Sequence, residues 1–423
     1  MGGLGAMRRG AAVALISVGA LVLASMQASA AASRPGSPTA TAASVSAPPS
    51  ELPARAWVVM LQGSGQIIAS SNADAELPIA STTKLMTAYV TLHHEPLSAR
   101  LRELPYVPTA GESLAPVPAG TELSVPDMLR AMLLPSGNNV AYSLSVDVAG
   151  STGAFVGEMN AAASALGLGR THYTTPVGLD TPPGNYSTAT DLARLARVMM
   201  GDSVIRKIVD EPSARLADGI EVDNRNDLVG TYPWVVGVKT GNTFDAGECL
   251  VGAADLGGVR LVSVVLGAPS EDARDSDTLA LLRYGLNRYR STQISQRGHA
   301  YASVPVAGRH RRVTLVAERS SRLVLARKIV LHVALRVPAR LRGPLPAGAV
   351  GGSLVVTENG RPTESVPLVT TRAIAAPPPP AASHHLRPAV WLAAGGGLAI
   401  VLVGCSLPLM RRRTTRSAPG LDP

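Results

Sequence analysis

The chain has 423 residues, of which 46% are hydrophobic, 16% charged and 3% aromatic, with a formal net charge of +9. At roughly 100–200 residues per domain this length predicts more than one domain. The basic residues are scattered and form no stripe interleaved with aromatics, which argues against a nucleic-acid partner. The two cysteines, Cys249 and Cys405, lie in separate apolar runs, which excludes a disulfide framework and a cysteine metal site.

In chain order, Arg8-Arg9, an apolar run over 11–24 and the triplet Ala28-Ser29-Ala30 predict a secretory signal at 1–30. Residues 31–50, rich in Ala, Ser, Thr and Pro, read as a flexible linker. The folded part begins near Glu51 with a hairpin, strands over 56–61 and 66–70 around Gly63-Ser64-Gly65. A helix opening at Ser81 runs to about His94, and the Pro- and Gly-rich stretch 95–124 reads as loops. Pro126 suits the first turn of a helix with Met128, Leu129, Met132 and Leu133 on one face, stopped by Pro135. Ser151 caps a further helix that carries Phe155, Met159 and Leu166 inward and ends at Gly167. Thr188-x-x-Asp191 predicts a capping box for a helix that Gly201 terminates. Strands over 235–239, 249–254 and 259–266 follow, then a helix over about 272–289. This order predicts an α/β fold for 51–290, an antiparallel sheet flanked by helices with a separate helical lobe.

Residues 291–375 change character. Short Val- and Leu-rich runs alternate with Gly, Pro and Arg, and Glu358-Asn359-Gly360 is a hairpin signal, so a small all-β domain is expected. Residues 376–388 form a Pro-rich linker, and 389–410 is an apolar, uncharged stretch long enough for a C-terminal transmembrane helix. Arg411-Arg412-Arg413 opens the tail 411–423 and fits the cytoplasmic side, which places an exported N-terminal body on the outer side of the membrane.

Three short motifs carry the chemistry. Ser81-x-x-Lys84 puts a hydroxyl and an amine on one helical face, at a helix N-terminus whose N–H groups favour a developing oxyanion. Serine needs a base within reach, and a lysine serves if held neutral. Only four of the 39 basic residues are lysines (Lys84, Lys207, Lys239, Lys328), leaving 39 − 4 = 35 arginines. A lysine kept in such a chain points to a role that arginine, which stays protonated, cannot fill. The second motif is Ser136-Gly137-Asn138, at a break between two helices, and the third is Lys239-Thr240-Gly241, at a strand end. Their joint order matches the serine, Ser-x-Asn and Lys-Thr-Gly set of penicillin-binding proteins and class A β-lactamases.

With these motifs the chain resembles the D-alanyl-D-alanine carboxypeptidases of the low-molecular-mass penicillin-binding protein family. The likeness extends to Ala80-Ser81-Thr82-Thr83-Lys84-Leu85-Met86-Thr87-Ala88, Leu133-Leu134-Pro135-Ser136-Gly137-Asn138, Thr175-Pro176-Val177-Gly178-Leu179-Asp180 and Val238-Lys239-Thr240-Gly241-Asn242-Thr243. It covers roughly 50–290, and the β-rich region more loosely. The resemblance implies a serine β-lactamase/penicillin-binding-protein-like transpeptidase fold. It also implies cleavage of the terminal D-Ala from peptidoglycan stem peptides ending in D-Ala-D-Ala, with β-lactams as covalent inhibitors and no metal or cofactor. In that reading Ser81 is the nucleophile, Lys84 the general base and Ser136 the proton relay. Asn138 orients Lys84 and the substrate amide, while Lys239 and Thr240 meet the substrate carboxylate. Lys239 is also the second cation that helps keep Lys84 neutral. Gly241 lets the substrate backbone approach, and the N–H groups of Ser81 and Asn242 hold the oxyanion.

Two positions depart from the family. Asn139 stands where an acidic residue is usual, and Val236-Gly237 precede Lys239 where Asp-Gly is common. The alternatives are a β-lactamase, which needs a deacylating glutamate between the second and third motifs, where Glu158 and Glu211 fall, and a catalytically silent penicillin- or peptidoglycan-binding scaffold.

Overall fold

A computed structural model describes residues 49, 51–180 and 184–376, all within one compact unit. The expected signal at 1–30, the transmembrane stretch at 389–410 and the tail at 411–423 lie outside the described residues. So do nearly all of the two linkers. Among the described residues no helix is long and apolar enough to cross a membrane.

The centre is a five-stranded sheet of β1 (Ala56–Leu61), β2 (Ile67–Ser71), β3 (Val235–Thr243), β4 (Gly247–Leu256) and β5 (Val259–Ala268), in the order β2-β1-β5-β4-β3. Every neighbouring pair is antiparallel, as the tight connections between β1 and β2 and between β4 and β5 require. All six residues of β1 are buried, so its continuous apolar run reflects a sheet covered on both faces. The helix Glu271–Arg288 packs on β1, β4 and β5, and so does the helix Ala189–Met199. β3 lies at the edge, with only β4 beside it.

The helical lobe consists of Val125–Leu133, Asn138–Ala149 and Thr152–Ala165 against Lys84–His94, and it shares the main hydrophobic core with the sheet. Ser124, Ser151 and Thr188 each cap a helix by accepting a backbone N–H three residues on. The predicted capping box at Thr188 is only half formed. Asp191 N donates to Thr188 Oγ1 at 3.0 Å, but the Asp191 carboxylate is taken by Arg170 N and Arg194, both at 2.9 Å. The stretch read as loops, 95–124, contains a small hairpin, Arg100–Arg102 with Glu122–Ser124. The helix Ser203–Val209 also carried no recognised signal.

Beyond Arg288 only strands are found among the described residues. Tyr289–Ser295 pairs with Ser321–Ala326, and a second five-stranded sheet runs Ala300–Pro305, Arg312–Ala317, Arg361–Thr370, Val350–Glu358, Leu331–Arg336. Its core includes Leu315, Val356, Val366 and Leu368. The hairpin signal turns between the last two long strands, with Asn359 and Gly360 both at positive φ and Glu358 opposite Arg361.

Candidate active site

Ser81 does not open an α-helix directly. Residues Ala80–Thr83 form a 3-10 turn, and the α-helix starts at Lys84. The consequence for chemistry is favourable, because a 3-10 turn eclipses positions i and i+3. Lys84 Nζ accordingly lies 2.9 Å from Ser81 Oγ. The amine also lies 2.6 Å from Asn138 Oδ1 and 3.0 Å from the Val177 carbonyl oxygen. Lys84 and Lys239 are among the largest fully buried side chains of the protein, at 0% and 1% exposure.

The turn is clamped from two sides. The segment 174–178 wraps its base: Thr87 Oγ1 donates to Pro176 O at 2.7 Å, and Asn185 Nδ2 donates to Thr83 Oγ1 and Thr175 O, each at 2.9 Å. On the other side β3 passes so close that a Cβ at Gly241 would meet Ser81 N at 3.0 Å and Thr82 N at 3.1 Å. Any larger residue there would press on the turn that presents the nucleophile, which favours glycine.

Ser81, Ser136, Thr240, Gly241, Asn242 and Arg225 line one cleft of about 190 Å³. An adjoining one of about 460 Å³ shares Ser81 and Asn242 and adds Asn138 and the loop around Glu112. Ser136 is 3% exposed, sits at φ +66° and has an Oγ with no hydrogen-bond partner among the described residues. Lys239 Nζ donates to Thr240 O at 3.0 Å. The Asn242 side chain donates to Glu248, which also pairs with Arg274 at 2.8 Å. All eight residues singled out in the sequence thus meet on or directly beneath these two adjoining clefts.

Burial is the first cause of the Lys84 amine's fall from 10.5 to about 7; the nearby Glu112 carboxylate opposes it and the Arg225 guanidinium assists. Lys239 is held well below the lysine range, by burial first and then by Lys84, Arg225 and Arg274. Arg225 thus acts on both lysines, in addition to the Lys84–Lys239 repulsion to which the sequence pointed. One arginine among 35, in a loop outside all three motifs, carried no signal.

Two carboxylates of the loop over 103–115 pin the two consecutive asparagines, and both were missed in the sequence. Asn138 Nδ2 donates to Glu112 Oε2 at 2.8 Å, and Asn139 Nδ2 donates to Glu103 Oε1 at 2.9 Å. At Asn139 the acid usual in the family is thus replaced by an amide that meets a carboxyl from across the cleft wall. Burial chiefly pushes the Glu103 carboxyl up to about 7. Glu158 and Glu211 line neither cleft; Glu158 sits 3.6 Å from His94, and Glu211 takes two bonds from Arg130 at 2.7 and 3.0 Å.

The model for D-alanyl-D-alanine carboxypeptidase matches residues 41–270. The D-alanyl-D-alanine carboxypeptidase DacC of Escherichia coli (strain K12) is 32% identical over 351 residues, 78% of this chain and 87% of that protein. The D-alanyl-D-alanine carboxypeptidase of Streptomyces sp. (strain K15) is 32% identical over 249 residues, covering 53% of this chain and 84% of its own. Among solved structures, penicillin binding protein 6B from Escherichia coli superposes with a TM-score of 0.58 at 29% identity, covering 77% of this chain and 98% of its own. Penicillin binding protein 5 from Haemophilus influenzae gives 0.56 at 27% identity, with 78% and 100% coverage. Sequence, fold and the meeting of the three motifs agree, and the chain belongs to the D-alanyl-D-alanine carboxypeptidase family.

Proposed function

We propose that this chain is a serine-type D-Ala-D-Ala carboxypeptidase, removing the terminal D-Ala from peptidoglycan stem peptides through a Ser81 acyl-enzyme that β-lactams also form. The observation that carries the mechanism is the surroundings of Lys84 Nζ. A neutral amine has two N–H groups and one lone pair. Val177 O and Asn138 Oδ1 are acceptors and take one N–H each. The lone pair is left for the third neighbour, Ser81 Oγ, whose proton it draws as the oxygen attacks the penultimate carbonyl carbon.

The remaining groups take the roles their positions allow. The buried Ser136 hydroxyl, without a hydrogen-bond partner among the described residues, relays the proton from Lys84 to the departing D-Ala nitrogen as the C–N bond breaks. Lys239 and Thr240 receive the substrate's terminal carboxylate. β3 is an edge strand, so the peptide backbone can lie beside it as an added strand. The Ser81 and Asn242 N–H groups stabilise the oxyanion. Water then attacks the ester, returning Ser81 and releasing the shortened peptide.

The test is to incubate the purified protein with labelled penicillin and with a peptide ending in D-Ala-D-Ala. A persistent adduct on Ser81 together with D-Ala release is expected. Rapid penicillin turnover would establish a β-lactamase instead, and an adduct without D-Ala release a silent scaffold. Labelling that survives Ser81→Ala would remove Ser81 as nucleophile.

The reading extends to location. The signal pattern at 1–30 exports the chain, 291–375 forms a small all-β domain, and the uncharged span 389–410 with Arg411-Arg412-Arg413 anchors it in the cell membrane. Support comes from the apolar length, about the 20 residues a bilayer needs. Expression of the full chain and of a chain ending at Ala376 checks it: only the former should sediment with membranes and resist alkaline wash.

A further inference from the structure

The roles assigned to Lys84 depend on which way the Asn138 carboxamide faces. With its oxygen toward Lys84 it accepts an N–H and leaves the lone pair to Ser81. Turned by 180° it would present N–H to the amine, take the lone pair, and silence the base. We propose that Glu112 is a positioning residue that fixes this choice: it locks the Asn138 amide nitrogen on its own side and so reserves the Lys84 lone pair for Ser81. The proposal rests on the acyl-enzyme mechanism above.

The geometry leaves one orientation. Asn138 is 2% exposed and lies between Lys84 Nζ at 2.6 Å and Glu112 Oε2 at 2.8 Å. An ionised carboxylate only accepts hydrogen bonds, so the amide nitrogen must face it and the amide oxygen must face Lys84. The flipped amide would set two acceptor oxygens at hydrogen-bond distance with no proton between them. Glu112 is itself held rigidly. Tyr106 donates its hydroxyl to Oε2, while Thr109 donates its N–H to Oε1 at 2.9 Å and its hydroxyl at 2.6 Å. Burial pushes the Glu112 carboxyl up, but the bonds from Thr109, Tyr106 and Asn138 outweigh it and hold it at about 2. It is therefore ionised wherever the enzyme works.

Electrostatics alone would argue against a carboxylate here. Glu112 favours the protonated form of Lys84, against burial and Arg225, which favour the neutral form, with Lys239 as the other cation of the site. A residue that opposes the base through its charge must help through another route, and the amide lock is the contact it makes. The same loop adds a second tie, Asn138 N to Ser113 O at 2.8 Å.

The isosteric variant Glu112→Gln separates orientation from charge. A glutamine can both donate and accept, so it no longer dictates the Asn138 orientation, and it carries no charge. In the full-length protein the plateau rate of Ser81 acylation by labelled penicillin is expected to fall by about tenfold to a hundredfold. The acid limb of the pH profile should move to lower pH, because the carboxylate that favoured protonated Lys84 is gone. A purely structural role would lower the thermal midpoint and leave that limb in place. Thr109→Val, which removes one bond to Glu112, should give a smaller fall in the plateau and serves if Glu112→Gln does not fold. Acylation of folded Glu112→Gln at the wild-type plateau rate, whether or not the acid limb moves, would overturn the proposal while leaving the Ser81 mechanism standing. Wild-type protein that penicillin does not label would overturn both.

Discussion

Replacing Lys84 by methionine tests whether the amine is neutral in the folded protein without reference to turnover. The unfolded lysine titrates at 10.5 and the folded one at about 7. Between those values unfolding takes up one proton, so stability rises with pH by about 1.4 kcal/mol per unit. Below about 7 both states are protonated and the dependence vanishes. Methionine keeps the unbranched chain and removes the titration. Lys84→Met also leaves Asn138 Oδ1 and Val177 O without a partner, but that loss is independent of pH. Lys84 is one of the charges that hold Lys239 down, so the titration of Lys239 would change with the substitution, and both proteins therefore also carry Lys239→Met. Urea unfolding of both proteins at pH 7.5, 8.5 and 9.5 is the assay. Relative to Lys84→Met, the form that keeps Lys84 should gain on the order of 2 to 3 kcal/mol across those two units. A stability difference flat over that range would mean that Lys84 is charged when folded, and the base assignment would fall with it.

Three further substitutions probe separate parts of the cleft. Arg225→Gln removes a charge that helps keep Lys84 neutral, so the acid limb of penicillin acylation should move to higher pH; stopped-flow profiles that superpose would show its charge is screened. Ser136→Ala deletes a buried hydroxyl that bonds nothing among the described residues, so thermal stability should hold or rise while D-Ala release falls by roughly a hundredfold or more. A drop in melting temperature would instead assign Ser136 a structural bond. Gly241→Ala drives a methyl group against Ser81 N and Thr82 N, so acylation should slow by about tenfold or more with the circular dichroism spectrum intact. Acylation unchanged by that methyl group would mean the turn can move away from β3 at no cost to catalysis.

Local pattern made much of this molecule legible. β1 is a continuous apolar run, Ser151 and Thr188 are capping residues, and the three motifs are contiguous triads or tetrads. What the sequence hid was made by long-range contact. The hairpin Arg100–Arg102 with Glu122–Ser124 has strands of three residues, too short to show a period. The Val177 oxygen that fixes Lys84 is a backbone atom 93 residues away, and any side chain could have stood there. Thr188-x-x-Asp191 looked like a reciprocal box because spacing alone cannot say that Arg170 and Arg194 claim the carboxylate. Glu112 and Arg225 sit in irregular segments whose only distinction is where the fold takes them.

The cleft's charges sort themselves by what already satisfies them. Arg274 is buried and engaged by Glu248, Glu271 and Asp275, at 2.8, 3.6 and 2.8 Å, so it is spoken for before any ligand arrives. Lys84 is held by three neighbours and, with its amine brought down to about 7, is about half neutral at pH 7 and neutral above it. Lys239 bonds only a neighbouring carbonyl, and Arg225 has no ion pair among the described residues. In the proposed mechanism the substrate carboxylate goes to Lys239 and Thr240, and Arg225 on the wall of the same cleft as Thr240 adds a second cation. The carboxylate's negative charge would restore the proton to Lys239, whose amine burial and the surrounding cations hold down in the empty site. On that mechanism the two lysines would stand in opposite states once substrate is bound: Lys239 protonated to hold the carboxylate, and Lys84 neutral to receive the proton of Ser81.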